Sequence, residues 1–193
     1  MPRIVIAVFG SLGDLNPCLA IGRALLPFGF TVAIASHAEY AERVGAAGLE
    51  FIAVTPSFSD LEQRCGKDRA AMTDDLLASP ARLYTDLILP FLRLGVADLE
   101  AALRPDDLLL VTTAAIGARL AAERRRTPWL ALALQPSVLL SRDDPPQIPP
   151  IDTLMRWALA LGPTAVRGVL ALLRIGLNHL GRPIRQLRTE WKL

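Results

Sequence analysis

The 193-residue sequence predicts an α/β protein, a doubly wound parallel sheet carrying a helical C-terminal extension. Three observations lead there. Short apolar, β-branched runs recur at Arg3–Phe9, Thr31–Ala35 and Leu49–Val54, with helix-length segments between them. Glycine and proline punctuate the joins, at Gly10, Pro17, Gly29 and Gly48. Composition supplies the core: hydrophobic residues make up 52% and charged residues 21%, which excludes a disordered polyelectrolyte. Aromatics are only 6%, so Leu, Ala, Val and Ile must fill the interior.

Taken in order, Arg3–Phe9 reads as a buried parallel strand ended by Gly10. Pro17 suits the first position of a helix, with Asn16 as its cap, and that helix runs to about Pro27–Gly29. Thr31–Ala35 is the second strand, His37–Ala47 a helix closed by Gly48, and Leu49–Val54 the third strand. Residues 56–79 are polar and mixed, which suggests a loop with one short helix. Leu83, Leu87, Leu94, Leu99 and Leu103 give residues 81–104 helical spacing, kinked at Pro90. Asp107–Thr112 is a fourth strand, Ile116–Arg126 a helix and Trp129–Leu134 a fifth strand. A proline-rich loop over 135–150 leads to two or three helices, punctuated by Gly162–Pro163 and Gly181–Pro183. The expected division is therefore a domain over 1–150 and a helical extension of it over 151–193.

A net charge of +2 is too small to argue for a nucleic-acid partner. The tail is different: residues 151–193 hold seven basic and two acidic side chains and are strongly apolar. That pairing fits peripheral contact with a membrane surface, or helices packed on the domain with arginines facing water. The uncharged stretch Thr127–Ser141 is broken by Pro128 and Pro136 and is too short to span a bilayer. Cys18 and Cys65 lack a disulfide framework, and the N-terminus lacks a signal-peptide pattern, so a cytoplasmic location is expected.

Right-handed crossovers order five such strands 3-2-1-4-5, with the reversal between strands one and four. Ligands bind outside the strand C-termini at such a reversal. The loops facing it are Gly10–Asn16 and Thr112–Ile116. Gly10 and Gly13 permit a tight turn, Asp14 brings a carboxylate, and the helix behind offers unpaired N–H groups. With Asn16 capping the helix, Asp14 is left for the crevice. The dinucleotide fingerprint and the Walker-type phosphate loop are both absent, so no cofactor is expected.

The segment F-G-S-L-G-D-L-N-P, followed by L-A-I-G-R-A-L-L-x-x-G-F-x-V-x-I-A-S-H and V-x-x-A-G-L-E-F, resembles the N-terminal, acceptor-binding domain of GT-B glycosyltransferases. The relatives in question glycosylate sterols, other lipids and antibiotic aglycones. The resemblance covers residues 3–140 well and the tail loosely. It implies a Rossmann-like half of a GT-B fold and a hexosyltransferase activity. It further implies inverting transfer from a nucleotide sugar, of the UDP type, to a hydroxyl on a hydrophobic acceptor. Asp14 matches the family's base, which takes the acceptor's proton as the new C–O bond forms. Gly10, Ser11 and Gly13 would shape the donor-facing turn, while Thr112, Thr113 and Ala114 would line the acceptor side. Gln135, after the fifth strand, could supply polar contacts or equally be an ordinary loop start.

Other residues have plainer readings. His37 is expected to cap the next helix or to bond neighbouring backbone, with orientation of the first loop as its functional alternative. Cys18 reads as a small buried hydrophobe, and His179 has no partner at metal-ligand spacing, so no metal site is expected. Adjacent carboxylates such as Asp106-Asp107 face apart and do not form an acid/base pair. The family's diphosphate-gripping motif is missing from 151–193, so the chain is expected to need a donor domain, as a fragment or with a separate chain. The alternative is a non-catalytic module that binds a hydrophobic ligand or partner.

Overall fold

The computed structural model describes residues 3–79, 81–146 and 151–193. Strands β1 (Arg3–Ala7), β2 (Thr31–Ser36), β3 (Glu50–Ala53), β4 (Leu108–Thr112) and β5 (Trp129–Leu132) pair in parallel, in the order β3-β2-β1-β4-β5. This is the order that right-handed crossovers require, with its reversal between β1 and β4. All five residues of β1 are buried, as a strand with neighbours on both edges and helices on both faces demands. Ile6 stands opposite Ile34 on one side and Leu110 on the other.

Helix α1 (Leu12–Leu25) and helix α2 (Ala41–Ala46) cover one face. Ile4, Ile6 and Val8 of the central strand segment pack there with Leu15, Cys18, Leu19, Val32, Ile34 and Val44. Helices α3 (Phe58–Cys65) and α4 (Arg69–Ala78) follow β3, so the stretch expected as a loop with one short helix contains two. Each begins on a side-chain cap: Ser57 accepts from the Asp60 N–H and Asp68 from the Ala71 N–H. Those polar residues are what made the segment look irregular in sequence.

The helical spacing over 81–104 resolves into a π-helical turn at Leu83–Ile88, a 3-10 turn at Leu89–Phe91 and α5 (Leu92–Ala102). The break falls at Pro90, which lacks the N–H that a continuous helix needs there. Helix α6 (Ile116–Arg125) packs on α5, where a side chain at Gly117 would touch Leu92 at 3.7 Å. Crossovers of one hand running in opposite directions along the sheet put α5 and α6 on the face away from α1 and α2. A β-carbon on Gly95 would lie 2.6 Å from the Thr55 carbonyl, so α5 rests directly on the chain leaving β3. Asp98 fixes that contact by accepting the Thr55 N–H at 2.8 Å.

One buried ion pair closes the opposite end of the sheet. Arg3, at the start of β1, donates to both carboxylate oxygens of Asp107, at 3.0 and 2.7 Å, and to the Ala102 carbonyl at 2.8 Å. Asp107 also accepts the Arg104 N–H at 2.7 Å. The Asp106-Asp107 pair is therefore split as its spacing implies, with Asp107 turned inward.

The chain divides into two compact units, one built on Met1–Lys67 and Pro90–Leu134, the other on Asp68–Leu89 and Gln135–Lys192. The second unit thus gathers residues 68–89 as well as the tail, whereas the sequence suggested a single boundary at 150. Its tail forms α7 (Asp152–Leu161), α8 (Pro163–Leu180) and α9 (Arg182–Glu190). Gly162, at φ 100°, ends α7, and Pro163 starts α8 at the position where its missing N–H costs nothing. Met155, Ala158, Val166, Val169 and Leu170 form the small core of this helix pair. Residues 147–150 of the expected proline-rich loop lie outside the described residues.

Candidate functional site

The loop that leaves β1 is held in a different way from the one its sequence suggests. Helix α1 starts at Leu12, five residues before Pro17, and its cap is Ser11 rather than Asn16. The Ser11 hydroxyl accepts the Gly13 N–H at 3.2 Å, and the Asp14 carboxylate reaches back to accept the Ser11 N–H at 2.9 Å. This is a capping box with aspartate in the third helical position. Proline at position 17 misled the boundary because it is tolerated inside this helix. Its missing N–H deprives only the Gly13 carbonyl of an intrahelical partner.

Asp14 is consequently not left free by Asn16, as the sequence reading assumed. It is half-buried, and the Ser11 N–H and hydroxyl both converge on its Oδ2, the hydroxyl at 3.2 Å. Among the described residues no hydrogen bond is seen to Oδ1. One oxygen is thus anchored by Ser11, which fixes the orientation of the carboxylate. Gly10 lies against the same group: its φ is 138°, and any β-carbon there would collide with Asp14 Oδ2. Glycine at position 10 is required both by its backbone angle and by the carboxylate beside it.

The Gly10 peptide is gripped at both ends. His37 Nε2 accepts the Gly10 N–H at 3.3 Å, and the Tyr40 hydroxyl donates to the Gly10 carbonyl at 3.2 Å. The other ring nitrogen of His37, Nδ1, lies 2.5 Å from the Pro56 carbonyl. A carbonyl only accepts and a peptide N–H only donates, so these partners select one neutral tautomer, protonated at Nδ1. The imidazole is 2% exposed and ringed by Phe9, Phe58 and Tyr40, with centroids 4.8, 4.5 and 6.0 Å away. Burial pushes its pKa below the ordinary histidine value, opposed by the Pro56 carbonyl and the Glu39 charge. His37 makes no side-chain cap to the following turn. It bonds neighbouring backbone, and part of that backbone is the first loop itself.

On the far side of the reversal, topology sets Thr112 and Thr113 at the end of β4, next to where β1 gives way to the loop. The Thr112 side chain does not open onto that crevice. It is 3% exposed and its hydroxyl donates to the Ala7 carbonyl at 3.1 Å. Ser36 does the same from β2, donating to the Val8 carbonyl at 2.9 Å. Two hydroxyls from the flanking strands therefore tie down the last carbonyls before the loop. Thr113 is exposed beyond them. Gln135 belongs to the second unit, where it is exposed and starts the 3-10 turn Pro136–Val138.

The His37 bond to Gly10 matches the expected alternative of orienting the first loop, while Tyr40 was not foreseen from the sequence. The signal available was an aromatic and a histidine just past the second strand, in a chain poor in aromatics. Cys18, fully buried behind the loop, has its thiol pKa pushed up to about 11 by burial and by the Asp14 charge, which makes it a core residue. Among the described residues no cluster of three or more His, Cys, Asp or Glu side chains is placed to hold a metal ion. Among them, too, no helix is long and apolar enough to cross a membrane.

No protein-family model matches the chain. Curated proteins match over a short segment. A sterol 3-beta-glucosyltransferase of Arabidopsis thaliana is 45% identical over 49 residues, 25% of this chain and 8% of that protein. One from Eremothecium gossypii is 40% identical over 52 residues, 27% of this chain and 4% of that protein. The matched part of the chain thus spans less than a tenth of these relatives' length. Among solved structures, the calicheamicin glycosyltransferase CalG4 superposes with a TM-score of 0.54 at 20% identity, covering 99% of this chain and 45% of that one. The Streptomyces glycosyltransferase SsfS6, complexed with thymidine diphosphate, gives a TM-score of 0.50 at 26% identity, covering 68% of this chain and 38% of that one. The fold is that of the GT-B glycosyltransferases, of which this chain spans less than half the length.

Proposed function

We propose that this chain is the acceptor-binding half of an inverting glycosyltransferase, with Asp14 as the general base. The observation that carries the reading is the Asp14 carboxylate itself. It stands in the first turn of α1, directly after the β1 loop and beside the order reversal of the sheet, with Ser11 anchoring one of its oxygens. The donor is a nucleoside-diphosphate hexose, a reading supported by the SsfS6 complex with thymidine diphosphate. The acceptor is a hydroxyl on a sterol, other lipid or aglycone, supported by the likeness to sterol glucosyltransferases.

The chemistry is a single displacement. An alcohol is a poor nucleophile, so its oxygen attacks the anomeric carbon while Asp14 takes the hydroxyl proton. The bond from that carbon to the departing diphosphate oxygen breaks as the new C–O bond forms, and configuration inverts. Anchoring Oδ2 through Ser11 leaves Oδ1 to accept the proton, and the fixed geometry avoids reorganising the base during transfer.

The test is Asp14→Asn, because asparagine keeps an oxygen that can accept the Ser11 N–H and so preserves the cap. Sugar transfer to a sterol, assayed with the donor-binding half present, is expected to fall by about 10²–10⁴-fold with acceptor affinity unchanged. Undiminished turnover would overturn the base assignment.

A second reading has its own observation. Leu172 and Ile175 on α8 are 65% and 66% exposed, and Trp157 on α7 is 68% exposed. Leu172 lines, with Ile151, Leu154, Leu173, Leu177 and Leu180, an apolar groove of about 290 Å³. With Arg167 and Arg174 on the same helix, this surface suits a lipid bilayer bearing anionic headgroups. Flotation with phosphatidylglycerol vesicles is expected for the native chain and not for Leu172→Asp/Ile175→Asp. Equal flotation of the two would remove this reading.

A further inference from the structure

We propose that His37 is a positioning residue for the Asp14 carboxylate, acting through the Gly10 peptide, which Tyr40 grips from its other side. The proposal deepens the reading of Asp14 as the base and rests on it only for the catalytic consequence.

The linkage can be followed atom by atom. The imidazole is fixed in the plane by its two hydrogen bonds, to Pro56 on one side and to Gly10 on the other. Phe9, Tyr40 and Phe58 pack around the ring, so it has no room to turn away. Gly10 in turn has its N–H held by His37 and its carbonyl by Tyr40. The Asp14 carboxylate sits hard against the position a β-carbon on Gly10 would take, and the next peptide N–H, from Ser11, donates to it. A shift of the Gly10 peptide therefore changes the position of the Ser11 N–H, and with it the orientation of the carboxylate. None of these contacts asks His37 to touch a substrate. Among the titratable groups, Tyr40 and Glu39 face the ring from its own segment, and Asp14 is reached through Gly10.

Two conservative substitutions separate positioning from packing. Glutamine can place its Oε1 near the position of Nε2 and so keep an acceptor for Gly10, although it loses the ring. Asparagine can place its Nδ2 near the position of Nδ1, keeping the donor to Pro56 and losing the acceptor. The experiment is NMR on the full chain labelled with 15N and 13C, reading the Gly10 and Ser11 amides and the Asp14 carboxyl carbon. In the native chain the His37 ring is expected to show a protonated Nδ1 and an unprotonated Nε2.

His37→Asn is expected to speed hydrogen exchange at the Gly10 amide at least about tenfold. It is also expected to move the Ser11 amide and Asp14 carboxyl signals. His37→Gln should return all three most of the way. If both variants disturb them alike, or if His37→Asn leaves the Ser11 and Asp14 signals in place, positioning through Gly10 is overturned. Should the asparagine variant fold poorly, the native chain supplies the same test. As acid protonates Nε2, the Gly10 N–H loses its acceptor, and the Ser11 amide must move in step with the His37 ring signals. Independence of the two titrations overturns the proposal. The outcome for Asp14→Asn in sugar transfer bears on the base reading alone, so failure of one is distinguishable from failure of the other.

Discussion

The imidazole of His37 and the peptide N–H of Gly10, separated by 27 residues, meet at 3.3 Å and join the end of β2 to the loop leaving β1. The bond requires an unprotonated nitrogen in a place where 2% of the side chain reaches solvent. Its consequences extend to stability. Burial, the dominant influence, lowers the pKa of His37 in the folded chain below the unfolded value of about 6.5. Below that pH the unfolded chain gains a proton that the folded chain resists, so this contribution is present above about pH 6.5 and lost as the pH falls towards the folded pKa. Urea midpoints measured from neutral to mildly acidic pH should fall more steeply for the native chain than for His37→Gln, which has no such group to titrate.

Gly10→Ala should disrupt the same loop by a different route. Alanine is strained at φ 138°, and its β-carbon would displace the Asp14 carboxylate from the cap. Strain of about 1–3 kcal/mol together with loss of a cap of about 1 kcal/mol gives an expected destabilisation of about 2–4 kcal/mol. Chemical denaturation measures it. A change below about 0.5 kcal/mol would contradict the described geometry.

How much of this was legible in the residues differs between the sheet and the loop. Strand order, the parallel pairing and the reversal beside β1 follow from apolar runs and crossover handedness, both of which are properties of the chain at large. The start of α1 was misplaced because Pro17 and Asn16 make a plausible helix opening by themselves. The choice of Ser11 instead depends on Asp14 reaching back three residues, a pairing that S-L-G-D allows but does not require. Tyr40 was harder still, and for His37 the sequence offered loop orientation only as an alternative, without its partners. Their role is defined by partners at Gly10 and Pro56, and no local pattern encodes contacts across that separation.

Arg3 and Asp107 illustrate the same limit in a structural setting. Neither a lone arginine at the start of a strand nor one aspartate of a pair announces a buried ion pair. Asp107→Ala would leave the Arg3 guanidinium buried without its main counter-charge and strip an acceptor from the Arg104 N–H. The expected loss is about 3–5 kcal/mol in urea unfolding, whereas loss of an exposed pair such as Arg142–Asp143 should cost less than about 1 kcal/mol.

The two cysteines should behave oppositely towards thiol reagents. Cys18 is fully buried with its pKa pushed up to about 11, so near pH 8 it stays a protonated, inaccessible thiol. Cys65 is half-buried at the end of α3. Mass spectrometry after brief alkylation should find label on Cys65 in the folded chain, and on Cys18 only after denaturation.

The side chains packed on the first loop, from Phe9 and Ser11 through His37 and Tyr40 to Phe58, come from a stretch of fifty residues, with the Thr112 hydroxyl as the support from farther along the chain. The geometry around Asp14 is therefore set largely by one contiguous segment. A change anywhere in that segment reaches the carboxylate through neighbours close by in the chain.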